Sequence, residues 1–290
     1  MIKIVIYCVF ISISCAQVFS HYDYVGSKSI SMSGSVTSGP GGTWSIFHNP
    51  SQLAGLNHLQ MVSGYSEIFG LSFLPYYHTG FSYKGWAVNM EQLSTSIYDI
   101  ELSSETVIGL SKGIYIQKDK NSSISLGSRF NFYYYDLGKS AGVTGDGELG
   151  TELGGDFTYG IDVGLQAALK NRHYFAVYYQ NINNPMLGMG LGGELPRSLS
   201  MGISYYPYDD LLTSLDINQL IGSDSQEVRF GIEYHLFENF ILRTGVQNNS
   251  SRFSGGFVFS FEMLNIEYGF ITHHIMPMTH QVSISFWMSE

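Results

Sequence analysis

The stretch Ser123-Ile124-Ser125-Leu126-Gly127-Ser128-Arg129-Phe130-Asn131-Phe132 puts Ile124, Leu126, Phe130 and Phe132 at even positions and Ser123, Ser125, Gly127, Arg129 and Asn131 at odd ones. Successive side chains of an extended chain point to opposite faces, so this order writes one apolar and one polar face. The same period-two pattern returns about a dozen times, each over roughly ten residues and followed by a turn or loop. Strands of that length and spacing describe a transmembrane β-barrel, hydrocarbon outside and water inside. A soluble secreted β-sandwich alternates in the same way with its apolar face turned inward, and is the weaker alternative.

Composition favours the barrel. The chain has 21 Tyr, 19 Phe and 33 Gly with only 13% charged residues, yet its mean hydropathy is +0.04, far from that of a helical membrane protein. A barrel averages out in this way because only half of each strand is apolar. Past the N-terminus no apolar run reaches the roughly 18 residues a spanning helix needs. A net charge of −10 excludes nucleic acid as a partner, since phosphate binding requires clustered Lys and Arg.

Lys3, the apolar run Ile4 to Ile11 and the small residues Ser14 and Ala16 read as a secretory signal peptide over 1–16, with a cut before Gln17 or, as second choice, after Ser20. Both cysteines, Cys8 and Cys15, fall inside that leader. A cysteine-free mature chain suits passage through an oxidising periplasm. Lipidation at Cys15 is the competing reading, although Ser12 stands where a lipobox usually has Leu.

From 17 to 57 the alternation is absent. This segment is rich in Gly and Ser and ends in Asn49-Pro50-Ser51-Gln52-Leu53-Ala54, where Pro50 suits a first helical turn capped by Asn49. It is too irregular to cross lipid, yet Ile46, Phe47 and Leu53 need cover, so it is expected inside the barrel as a plug. The barrel itself occupies 58–290. Its expected strands are 59–68, 72–82, 85–94, 105–117, 122–136, 157–169, 172–182, 197–206, 211–220, 226–236, 239–248, 252–262, 265–273 and 279–288, about fourteen in all. Connections at Lys84, Asn171, Pro207 to Asp210, Phe237-Glu238 and Leu264 are short, as periplasmic turns are, whereas 137–156 and 183–196 are long, as extracellular loops are.

Parity assigns faces. Met201, Ile203, Phe230, Phe257, Phe259 and Ile284 belong to lipid-facing rows, and Arg129, Asp162, Gln166, Arg229, Glu233, Arg243, Glu262 and Glu267 to the lumen. The lumen charges read as mutually satisfied filling or, alternatively, as a polar pathway or an electrostatic latch for the plug. The run Met186-Leu187-Gly188-Met189-Gly190-Leu191 lies on a long loop, and its exposed apolar side chains are a candidate surface for a ligand or partner. The acidic loop 145–156 reads as solvated. His273, His274 and His280 lack a carboxylate or Cys at ligand spacing, so no metal and no cofactor is expected. No signature joins a nucleophile to a base, so the chain does not read as an enzyme.

Met32-Ser33-Gly34 with Asn49 to Ala54, then Leu195 to Tyr205, and finally Arg243-Thr244-Gly245 with Ile266 to Phe270 and Thr279 to Phe286 resemble FadL-like outer-membrane proteins, in particular the PorV/PorQ branch linked to type IX secretion. Ser51 stands where that pattern usually has Ala, and Pro40-Gly41-Gly42 where it has an acidic, Ala-rich stretch. The resemblance implies a fourteen-stranded outer-membrane barrel with a luminal N-terminal plug, carrying Asn49, Pro50 and Leu53 as the plug motif. It also implies an accessory or anchoring role in protein secretion, with secretion-machinery proteins as partners beside the lipid bilayer. The alternative is a passive transporter of hydrophobic or amphipathic small molecules.

Overall fold

The computed structural model describes residues 22–97, 100–140, 142–143, 149–188, 193–223, 226–249 and 251–288. The expected leader, including Cys15, and Asp146 and Glu148 of the acidic loop lie outside them, as do Met189 and Leu191.

Fourteen strands close into one barrel. They are β1 (Gln60–Glu67), β2 (Pro75–Tyr83), β3 (Trp86–Ile97), β4 (Ile100–Lys118), β5 (Ser122–Asp136), β6 (Gly155–Leu169), β7 (His173–Gln180), β8 (Ser198–Tyr208), β9 (Leu211–Leu220), β10 (Gln226–Phe237), β11 (Phe240–Gln247), β12 (Arg252–Phe261), β13 (Leu264–Ile271) and β14 (Thr279–Trp287). Each pairs antiparallel with its neighbours in sequence, and β1 closes on β14 through pairs from Gln60 with Trp287 to Glu67 with His280. Closure leaves no edge strand with unpaired backbone, the condition for crossing hydrocarbon.

The two ends differ. At one end the strands turn over within a few residues, as at Lys84-Gly85, where both residues have positive φ (49° and 75°), the geometry of a tight two-residue hairpin. At the other end lie the long connections 137–154 and 181–197. Outward residues such as Met201, Ile203, Phe257 and Ile284 are exposed, as lipid-facing side chains must be. Exposed Tyr83, Trp86, Tyr208 and Phe237 near the turn end, and Tyr65, Tyr77, Phe132 and Tyr159 toward the loop end, form the two aromatic belts that such barrels place at the membrane interfaces.

Three departures from the expected spans have physical causes. β3 and β4 run on to Ile97 and from Ile100, through a polar stretch that keeps its backbone pairing although it lacks an apolar row. β7 stops at Gln180, because Asn181 takes positive φ (57°) and leads into the loop. Glu262, expected in the lumen, is exposed in the β12–β13 turn with φ 44°.

Residues 22–57 fill the lumen. They form α1 (Gly26–Ser31) and two 3-10 turns, Thr43–Ile46 and Pro50–Gly55, joined by a serine- and glycine-rich segment. Ile30, Ile46 and Leu53 are wholly buried. Pro50 opens its turn and Asn49 caps it, its side-chain oxygen accepting from the Ser51 backbone N–H at 3.0 Å.

Candidate functional site

The plug has an apolar and a polar side. Trp44, Ile46, Phe47, Leu53 and Leu56 pack on Val62, Tyr76 and Ala87 of β1 to β3, so the residues that lacked cover in the sequence find it on the wall.

Elsewhere the plug is held by hydrogen bonds. Arg129 reaches inward from β5 and donates through Nη2 to the carbonyls of Ile46 (2.7 Å) and His48 (2.8 Å), and through Nη1 to that of Phe47 (2.8 Å). Nε donates to Ser111 Oγ at 3.0 Å, and Nη1 also to the Tyr178 hydroxyl at 3.3 Å. All five guanidinium donors therefore have acceptors. Asp162, the cross-strand partner of Arg129, accepts from Asn131, Tyr178 and the Asn181 backbone, each at 2.8 Å.

A second network lies across the lumen. Glu233 and Arg243 face each other in register, and Arg243 joins Glu233 (2.8 Å) to Glu267 (2.7 Å). The plug enters this chain twice: Trp44 Nε1 donates to the Glu267 carboxylate at 2.9 Å, and Lys28 Nζ lies 3.3 Å from Glu233. Arg229 pairs with Asp23 of the plug and with Glu227 rather than with Glu233. Asp216 on β9 accepts from the Thr37 N–H at 2.8 Å.

Glycines let the plug come this close. Gly113, Gly127 and Gly164 stand side by side across β4, β5 and β6. A Cβ on Gly127 would lie 2.2 Å from Pro50 C and Ser51 N, and one on Gly164 would lie 1.9 Å from Asn49 Oδ1. The row is a groove that seats the Asn49-Pro50-Ser51 turn.

Of the seven lumen charges singled out in the sequence, Arg129, Asp162, Arg229, Glu233, Arg243 and Glu267 are buried and Glu262 is exposed in its turn; Asn49, Pro50 and Leu53 lie buried in the plug. The exposed apolar loop is different. Met186-Leu187 pairs with Gly193-Glu194, and this two-residue ladder points Met186 outward and Leu187 inward. Leu187 is 1% exposed and packs with Leu195 on Tyr133, so it caps the lumen instead of offering itself to a ligand. Sequence reasoning passed over Trp44, Glu91, Asp216 and the glycine row. Inward parity of Asp216 and Gly127 was the available signal.

Cavities border the plug on several sides. The outer one, about 130 Å³, lies below Leu195 and Pro196. Its walls include Tyr22, Phe47, Glu91, Tyr133 and Tyr178. The second, about 200 Å³, lies beside Trp44, Arg243 and Glu267, and the third, about 220 Å³, opens at the turn end near Tyr115 and Asn171. Val36 and His48 border both the outer and the second cavity. Burial, with the charges of Arg129 and Lys28 adding to it, pushes the His48 imidazole down to about 3. It is neutral, and Nε2 donates to the Val25 carbonyl at 3.0 Å.

A lumen of this build has counterparts among solved structures. The Pseudomonas putida toluene transporter TodX superposes with a TM-score of 0.59 at 13% identity, over 94% of this chain and 99% of that one. The CymD monoaromatic hydrocarbon channel gives 0.58 at 15%, over 93% and 99%. A Pseudomonas aeruginosa FadL homologue gives 0.54 at 9%, over 90% and 98%. The fold is shared with FadL-type outer-membrane channels. The closed barrel and its apolar outer face place the chain in the bacterial outer membrane. No protein-family model and no curated protein matches the sequence.

Proposed function

We propose that the protein is a passive outer-membrane channel for small hydrophobic or amphipathic molecules. The observation that carries this reading is the set of cavities between plug and wall, from an outer one to two near the turn end, the outer and second sharing Val36 and His48 as a wall. An outer cavity of about 130 Å³ is close to the roughly 150 Å³ that accommodates a benzene ring. The named neighbours support passage over an anchoring role in protein secretion, because TodX and CymD are described as a transporter and a channel. The secretion-linked PorV/PorQ branch gains no such support. Nor do these neighbours point to an enzyme.

Proteoliposomes holding the purified chain should take up benzyl alcohol faster than protein-free vesicles. A variant lacking residues 22–57 should be faster still. Uptake no faster than the empty control for both proteins, with insertion verified, would overturn the reading.

A further inference from the structure

We infer that the outer cavity selects small cationic amphiphiles, an ammonium group on a short aromatic or apolar body, and that Glu91 receives the ammonium. The inference names the substrate class of the proposed channel and rests on that reading for the route, though not for binding.

Of the two carboxylates lining the cavity, Asp23 is paired with Arg229 and Glu91 has no basic partner within ion-pair distance among the described residues. Arg129 has spent its five donors on the plug and on neighbouring hydroxyls, and Arg229 is held by Asp23 and Glu227. Arg129 therefore presents no donor to an anionic head, and Nε and Nη2 of Arg229 are already on carboxylates. Glu91 lines the same cavity from β3, and its carboxylate accepts only from neutral groups: Tyr76 Oη at 2.9 Å and Asn89 Nδ2 at 3.0 Å. Among the described residues no Lys, Arg or His forms an ion pair with it. A carboxylate has about four acceptor positions, so roughly half of its capacity faces the cavity.

The rest of the wall suits the body of such a ligand. Tyr22, Phe47, Tyr133 and Tyr178 supply aromatic surface, which attracts cations through the ring faces, and Val107 and Leu195 supply apolar surface. A hydrocarbon filling the space would cut Glu91 off from water without giving it a counter-charge. A carboxylate ligand would add a like charge. The net charge of −10 further favours the approach of cations.

Benzylammonium, benzyl alcohol and benzoate have nearly the same shape and differ in charge. Calorimetric titration of the full chain in detergent at neutral pH should give benzylammonium at least about tenfold tighter than benzyl alcohol, with benzoate weakest. Glu91→Gln should reduce that preference to within about twofold by weakening benzylammonium. Equal binding of alcohol and ammonium by the unaltered chain overturns the inference even if the variant fails to fold. A preference that survives Glu91→Gln overturns it as well. Uptake of the same compounds into proteoliposomes reads the channel separately. Preferential binding without uptake sinks the channel and keeps the site, whereas uptake of all three without preference sinks the site and keeps the channel.

Discussion

Arg129 Nη2, on the barrel wall, donates to the carbonyl of His48, in the plug, at 2.8 Å. With the carbonyls of Ile46 and Phe47 this makes one cation the donor to three consecutive carbonyl groups at the end of a 3-10 turn. Lysine carries the same charge as a point and lacks the planar fork that spans them.

Arg129→Lys should therefore free the plug without breaking the barrel. Losing hydrogen bonds from a buried charged donor costs about 2–4 kcal/mol. A cysteine replacing the wholly buried Ser51 should be protected from bulky thiol reagents in the otherwise unaltered chain and labelled in the Arg129→Lys background. Heat-dependent gel mobility should remain, since strand pairing is untouched.

Gly127→Ala should have a similar effect by steric means. Its Cβ would lie 2.2 Å from plug backbone, and crowding of this kind costs about 1–3 kcal/mol. Gly42→Ala is the contrast, since nothing lies within 4 Å of the added Cβ and the φ of −164° is extended. Thiol labelling at position 51 should rise for the first and stay low for the second.

Acid should loosen the plug through His48. The docked imidazole titrates at about 3 against an ordinary value of 6.5, so the docked state favours the neutral form. Docking keeps this contribution in full above pH 6.5 and loses it as the pH falls from 6.5 toward 3. At pH 5 the loss is about 2 kcal/mol, taking about 1.36 kcal/mol per pH unit. Solute uptake by proteoliposomes should rise between pH 7.5 and pH 5, and His48→Gln should flatten that rise. A rise of equal size in the variant would move the cause to other groups.

Met186 and Leu187 should part company. Leu187→Ser removes a buried cap residue and should lower stability by about 2–5 kcal/mol, seen as a lower urea midpoint. Met186→Ser touches an exposed side chain and should change stability by less than about 0.5 kcal/mol, leaving the midpoint nearly in place. Reduced uptake of apolar solutes by the Met186 variant alone would identify the loop as a ligand surface. Unchanged uptake would leave it as a lid.

Much of the barrel was legible because period-two alternation is a local property. Ile124, Leu126, Phe130 and Phe132 reveal the orientation of β5 whatever its neighbours do, and inward parity picked out Arg129, Asp162, Arg229, Glu233, Arg243 and Glu267. Where lipid no longer demands an apolar row, as in the polar ends of β3 and β4, the strand continues on backbone pairing alone and the pattern falls silent. The lid was half legible for a related reason. A two-residue ladder is too short to write a period, so the burial of Leu187 depends on Gly193 and Tyr133 being brought to it.

The sequence by itself determined that the chain spans by strands, which faces meet lipid and water, and that the segment 17–57 needs shelter, because each follows from the chemistry of neighbouring side chains along the chain. Only the tertiary structure decided partners. Arg229 and Glu233 share a face of one strand, yet barrel closure and the seating of the plug send Arg229 to Asp23 and Glu233 to Arg243 and Lys28. Gly127 becomes a socket for Pro50 for the same reason. Contacts between residues far apart in sequence depend on register and on the path of the plug, and no local pattern encodes either.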